Sequence, residues 1–278
     1  MTARGGIQTG PELVVSATGT LRTALLTRPS PAIERASSLA GEPGPIYARV
    51  LEQQAILQST LEYFGVETIV IDPGGDDAYE AAAGDAAIVF ADGGVIMRPT
   101  AMSRRAEADR VSAKFADLDV PIAGHISAPG LLDGNDVILA GETAFVGKGT
   151  RGNDLGREGF AKLASARGYR VVEVALAPGV TSLRSVASAI AKNTIVVGGD
   201  KADAAAFGGF RTIVLDRGEE LGAGVLCLDE RHVLADIRYR TASAKMRRAG
   251  VTVEAIDLYD FTKIGLTPSM LTLVLKRE

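Results

Sequence analysis

A closed ring of repeated α/β modules is the fold this sequence predicts, and two observations predict it. First, two short apolar runs flank a polar turn four times, in IVFADGGVIM (88–97), VILAGETAFV (137–146), SAIAKNTIVV (188–197) and VLCLDERHVL (225–234). Second, the turn markers Asp92, Glu142, Lys192 and Glu230 stand 50, 50 and 38 residues apart, and each hairpin leads into an amphipathic stretch and another strand-like run. A period of that length implies ββαβ units that cannot bury an apolar face alone and that pack around a common axis. A plain doubly wound sheet is excluded.

The elements follow in order. Apolar spacing predicts helices over 103–118, 154–167, 202–207 and 241–249, and the strands after them over 121–124, 169–176, 211–216 and 252–257. A fifth module is assembled from the two ends of the chain. Its helix is the longest, over 46–65, followed by a strand at 67–72, and its hairpin pairs LTLVLK (271–276) with RTALLTR (22–28). Joining the ends in this way closes the ring and removes two exposed sheet edges. Residues 21–278 then form a single domain and residues 1–20 an N-terminal extension. The loop 29–45 is long enough to be a lid, and solvated slack fits it equally well.

Composition limits the function. The chain has 278 residues, is 46% hydrophobic, carries a net charge of −4 and shows no apolar run long enough to span a membrane. The opening segment shows no basic start followed by a sustained apolar core, and secretion is not expected. The single cysteine, Cys227, cannot form an internal disulfide, which fits a reducing compartment, and a cytoplasmic location is expected. Lysine and arginine form no dense run with aromatic interleaving, so nucleic acid is not expected as a partner. No set of histidines and carboxylates has metal-ligand spacing, and no cofactor is expected.

Three stretches concentrate polar residues at hairpin ends: 84–107, 128–156 and 263–275. With LEQQAILQSTLEYFGVETIVI before them, they resemble the dimethylarginine dimethylaminohydrolase branch of the guanidino-group-modifying superfamily, from about residue 22 onward. LDGNDVILAGETAFVGKGTRGN carries most of the resemblance. MRPTAMSRRAE resembles the family's arginine-proline turn into a helix. The resemblance implies a five-bladed α/β propeller (pentein) with its active site on the axis, commonly assembled as a homo-oligomer and acting on a small-molecule substrate. It also implies that Asp133 and Asp85 clamp a planar guanidinium, whose fork matches a carboxylate. Asp136 would support the hairpin, and Arg98 and Arg151 would bind a substrate carboxylate or order the pocket. A plain D-G-N-D turn also accounts for Asp133 and Asp136. Arg104 and Arg105 read as a solvated helix start.

The departures from the family pattern matter as much as the matches. The family nucleophile is a cysteine in a G-x-x-C stretch before the last strand, which here is GLTPSML and puts the position on Pro268. The family histidine falls on Thr181 or Ser182. Cys227 reads as a small buried hydrophobe of a hairpin strand. Ser269 lies in the right segment but has no activating histidine near it in sequence. Of the two histidines, His232 sits in a hairpin turn, and His125, eight residues before Asp133, is close enough in sequence to reach a central pocket. The sequence therefore predicts a hydrolase that attacks a guanidine- or amidine-like carbon with water, activated by His125 or by a carboxylate among Asp85, Asp133 and Asp136. Asp85, Arg98, Arg151, Thr181, Ser182 and Ser269 would bind the substrate. Hydrolytic denitration of a 2-nitroimidazole suits that geometry. A catalytically inactive ligand-binding or partner subunit is the alternative.

Overall fold

Alternating short strands and glycine-rich turns fold into five three-stranded sheets, seen in a computed structural model that describes residues 12–278. β1 (Leu21–Thr27) carries β2 (Glu67–Ile71) parallel on its outer side. The second sheet is β3 (Ala87–Phe90), β4 (Gly93–Ile96) and β5 (Ile122–His125); the third is β6 (Val137–Ala140), β7 (Thr143–Lys148) and β8 (Arg170–Ala175). The fourth is β9 (Ala187–Ala191), β10 (Thr194–Val197) and β11 (Arg211–Val214); the fifth is β12 (Leu226–Asp229), β13 (His232–Asp236) and β14 (Thr252–Ile256). β15 (Leu273–Arg277) returns to pair antiparallel with β1 and completes the first sheet. In every sheet the first two strands are antiparallel and the third is parallel to the middle one, as the ββαβ repeat requires.

The crossings to the outer strands run through α1 (Tyr47–Tyr63), α2 (Arg105–Asp117), α3 (Asp154–Ser165) and, after the one-turn α4 (Leu183–Val186) and the fourth sheet, α5 (Arg240–Arg248). In α1 the buried positions Val50, Gln53, Gln54, Leu57 and Leu61 recur at helical spacing and form one inward face. α3 begins where Asn153 Oδ1 accepts the Gly156 N–H at 2.8 Å, a side-chain cap for an otherwise unpaired donor. The helix expected over 202–207 is instead a single 3-10 turn, Ala204–Phe207. Only four residues separate its Asp203 cap from Gly208 and Gly209, too few to repay helix nucleation.

No sheet has a core of its own. The five apolar clusters each draw on neighbouring sheets: Leu25, Leu273 and Val89 meet α2's Phe115 in one, and Ile138 and Phe145 meet Ile195 and Phe207 in another. That sharing is why the repeat closes into a ring. The first strand of each hairpin, with β15, lines the axis. Residues 12–20 of the expected extension pack on the ring, and Leu13, Val14 and Thr18 are buried. Val14 bridges Arg277, and the Leu13 N–H donates to Ala91 O at 3.1 Å, so residues 12–20 lie across one end of the axis. Residues 1–11 of the expected extension lie outside the described residues. The loop 29–45 is tied down by the Leu39 N–H to Lys263 O at 2.8 Å and by Tyr259 Oη to Glu42 Oε2 at 2.7 Å.

Candidate active site

At the other end of the axis, three loop segments run side by side. Leu132 bridges both Arg98 and Gly152, and the Asp133 N–H donates to Arg151 O at 3.0 Å. This places Asp133 beside Asp85 and Asp136, all three almost fully buried. Asp85 reaches the cluster from the 3-10 turn before β3, and Asp136 from the turn before β6.

The two carboxylates that would clamp a substrate guanidinium already hold one from the chain itself. Arg151 Nη1 lies 3.1 Å from Asp133 Oδ2 and 3.5 Å from Asp85 Oδ2, while the guanidinium stands 5.5 Å from the Tyr79 ring centroid. The second Asp133 oxygen accepts the Thr100 N–H at 2.6 Å. Asp85 also pairs with Arg104 and accepts the Asn135 N–H at 3.2 Å. The reading of Arg104 as part of a solvated helix start is corrected: it is 1% exposed and grips Glu107 through Nε and Nη2 at 2.7 and 2.6 Å. A helix start gives a sequence no sign that the first side chain turns inward.

The charges differ accordingly. Burial opposes ionisation of Asp85, but Arg104 and Arg151 outweigh it and hold that carboxyl below its ordinary range. Burial and the neighbouring Asp85 charge raise Asp133 despite Arg151. Asp136 is pushed up to about 7, chiefly by burial; its hydrogen bond from the Leu183 N–H opposes the rise, and Asp133 adds to it. Asp136 Oδ1 accepts that N–H at 2.7 Å, and Oδ2 is buried without a protein partner. A buried carboxyl balanced near neutrality is suited to moving a proton.

Ser182, the residue before Leu183, donates through Oγ to Met270 Sδ at 3.4 Å. Ser182 is one of the two positions on which the resemblance places the histidine, and the side chain facing it is that of Met270, two residues beyond Pro268. Neither a thiolate nor an imidazole stands there. Ser269 Oγ is engaged with Arg184 O at 2.8 Å, and Thr181 packs against Gly265, where a Cβ would come within 2.4 Å of Thr181 Oγ1. Arg98 reaches Gly130 O at 3.4 Å and touches none of the three aspartates. His125 does not reach the axis: it lies exposed at the end of β5, the outermost strand of its sheet, which corrects its assignment as a base. His232 is half-exposed and bonded to Asp229.

The sequence reading missed Met270, Asn135, Arg104 and Arg184. Asn135 follows Asp133 by two residues in a motif already singled out; its Nδ2 donates to Met270 O at 3.4 Å, tying two site segments together. A Cβ on Gly84 would stand 2.3 Å from Asn135 Oδ1 and 2.6 Å from Arg184 Nη1, so a side chain there would push both groups away. Cys227 is buried in β12 and its thiol is pushed up, mainly by burial. Cys227→Ala is therefore expected to leave turnover nearly unchanged, and a loss above about tenfold in a folded variant would return the thiol to the mechanism. Among the described residues no group of three or more histidine, cysteine or acidic side chains is placed to hold a metal, and no helix is long and apolar enough to cross a membrane.

No protein-family model matches the chain. It is 33% identical over 176 residues to the N(G),N(G)-dimethylarginine dimethylaminohydrolase of Streptomyces coelicolor, a match covering 63% of this chain and 67% of that protein. It is 24% identical over 220 residues to the protein of the same name from Pseudomonas aeruginosa, covering 79% of this chain and 86% of that one. Among solved structures, a cysteine-to-serine variant of the P. aeruginosa protein complexed with citrulline superposes with a TM-score of 0.82 at 22% identity, over 91% of this chain and 99% of that chain. An amidinotransferase of the saxitoxin biosynthetic pathway from Microseira wollei superposes with a TM-score of 0.79 at 15% identity, over 97% and 98% of the two chains. At those identities the structural likeness speaks for the fold, the five-bladed α/β propeller.

Proposed function

Since this chain belongs to the dimethylarginine dimethylaminohydrolase branch of the guanidino-group-modifying superfamily, we propose that it is a hydrolase of C–N bonds at a planar guanidine- or amidine-like carbon, with activated water replacing the thiolate. The observation that carries this reading is Asp136, a carboxyl balanced near neutral pH, with one oxygen anchored on Leu183 N–H and the other unpartnered, next to the Ser182–Met270 pair.

In this reading Asp136 Oδ2 takes a proton from water as the water oxygen bonds to the planar carbon. The C–N bond then breaks, the leaving group departs with the electron pair, and a nitrogen leaving group recovers the proton from Asp136. Arg151, held by Asp133 and Asp85, lies where it can stabilise negative charge developing in the transition state. Because that arginine occupies the carboxylate pair, a cationic substrate would have to displace it. A neutral amidine-like group would not, which favours a nitrogen heterocycle over an arginine-like cation. In a 2-nitroimidazole the ring C2 lies between two nitrogens, and water addition with loss of nitrite leaves an imidazolone. Asp85, Asp133 and Asp136 are all less than 2% exposed, so substrate reaches them only through a movement of the segments around them.

The test is a panel of N-methylated arginines, amidines and 2-nitroimidazole incubated in H2 18O, read by mass spectrometry of product and protein. One labelled oxygen is expected in the product, with no covalent protein adduct and no inhibition by a thiol alkylator. Asp133→Asn, which removes the charge that seats Arg151, is expected to lower turnover about 10²-fold. An adduct on the protein would sink the water mechanism. Binding without turnover across the panel would favour the alternative, a catalytically inactive ligand-binding or partner subunit, to which the Ser182–Met270 pair also lends itself.

A further inference from the structure

Behind the aspartate cluster the axis contains a cavity of about 110 Å³, walled by the inner strands of all five sheets through residues such as Val89, Leu139, Ala187, Leu226 and Leu273. Its polar lining is unusual in sign. Two arginines, Arg184 and Arg277, face it, together with Ser188 and Ser269, and no aspartate or glutamate lines it.

Neither arginine has a carboxylate within 4.0 Å among the described residues. Arg277 is 3% exposed and spends Nη1 and Nη2 on the backbone oxygens of Gly19 and Cys227, at 2.7 and 2.6 Å. The Arg184 guanidinium makes one hydrogen bond among the described residues, Nη2 to Thr272 O at 3.4 Å. The nearest compensating charge for Arg184 is Asp85, which already serves Arg104 and Arg151. Carbonyl dipoles solvate a guanidinium without neutralising it, and arginine does not shed its proton in proteins. Two guanidiniums facing one apolar-walled space repel each other, and the half-buried Arg184 and buried Arg277 are offset only from a distance, by Asp85 and Asp229. Ser188 adds a third observation: the residue lines the same cavity, and its Oγ is buried without a hydrogen-bond partner.

We infer that the axial cavity is a binding site for a small monovalent anion, with Arg184 and Arg277 supplying the opposite charge and Ser188 Oγ a hydrogen bond. The size agrees, since a dry cavity of about 150 Å³ accommodates benzene and this one suits a species of one to four heavy atoms such as a halide, nitrate or nitrite. The site lies behind the water-activating carboxylate, with Arg184 bordering both, and does not depend on the reaction proposed above. Its back wall is set by the fold: the Arg184 carbonyl is fixed by Ser269 Oγ at 2.8 Å and Thr267 Oγ1 at 3.2 Å.

Thermal melts at constant ionic strength test it, with bromide or nitrate replacing the bulky gluconate ion, alongside anomalous diffraction from crystals soaked in bromide. The melting temperature is expected to rise saturably with bromide and nitrate, and an anomalous peak to appear in the axial cavity. Ser188→Ala removes an unpartnered hydroxyl, so its melting temperature in gluconate should match the wild type while the anion concentration for half-saturation increases several-fold. Arg184→Met should abolish both the peak and the anion dependence; if it does not fold, Ser188→Ala still decides the matter. Melts that are equal in gluconate and nitrate, bromide found only at surface arginines, or an unchanged anion dependence in Ser188→Ala would each overturn the inference.

Discussion

Asp136→Asn is expected to lower turnover by about 10² or more while making the protein more stable at alkaline pH. Asparagine keeps the shape and can still accept the Leu183 N–H, but it cannot take a proton from water. The stability gain has a definite sign. Burial raises the folded-state value of Asp136 to about 7, above the unfolded value near 3.9. The proton-bound form therefore contributes stability that is fully present below about pH 4 and is lost as pH rises through about 7. Asparagine never ionises and keeps that stability throughout. Denaturant melts of the two proteins should coincide near pH 4 and differ at pH 8 by on the order of 2–4 kcal/mol in favour of the variant. Wild-type kcat/KM should climb with pH through about 7 and level off above it. A variant with undiminished turnover, or a rate that falls through that window, would remove Asp136 as the base.

Arg104→Met should instead destabilise the fold, by about 3–5 kcal/mol, because it leaves Asp85 and Glu107 buried without their shared cation. The double replacement with Glu107→Gln should recover part of that loss, since one orphaned charge goes with the arginine. Chemical denaturation of the single and double variants measures both numbers. A loss below about 1 kcal/mol for Arg104→Met would mean that the pair is screened by water and that the side chain is the solvated one its place at a helix start first suggested.

The ring was legible because strand and helix periodicities differ and the same alternation recurs at a near-constant interval. The closing pair, 22–28 with 271–276, follows from asking what would cover two bare sheet edges, and β1 and β15 meet there. The 3-10 turn at Ala204–Phe207 was not legible, because four alanine-rich residues look helical until the following glycines are weighed. At the site, Asp133, Asp136 and Asp85 fell within motifs, and all three come together. Met270 was missed by counting along a turn: the Thr267–Met270 segment coils, with the Met270 N–H bonded to Thr267 O at 2.9 Å, so distance along the sequence does not tell which side chain faces Ser182. His125 was overvalued because closeness to Asp133 in sequence says nothing about which strand of a sheet is outermost. Arg184 and Arg277 carry no local signature, since their significance lies in what does not surround them.

The joining of β15 to β1 also bears on when the site comes into being. Its parts are dispersed over most of the chain: Asp85 stands in the first third, Asp136 near the middle, Ser182 in the second half and Met270 close to the last strand. Asn135 Nδ2 and the Gly84 N–H, the latter at 3.1 Å, both donate to the Met270 carbonyl, which stands three residues before β15. A ribosome-bound chain lacking that strand would carry the aspartates without their counterpart, and so would hold no half-working version of the centre. The same seam makes loss of the site abrupt. Peeling one edge strand withdraws Met270, Ser269 and Arg277 from the axis in a single step, so assembly of the site and closure of the ring are one event.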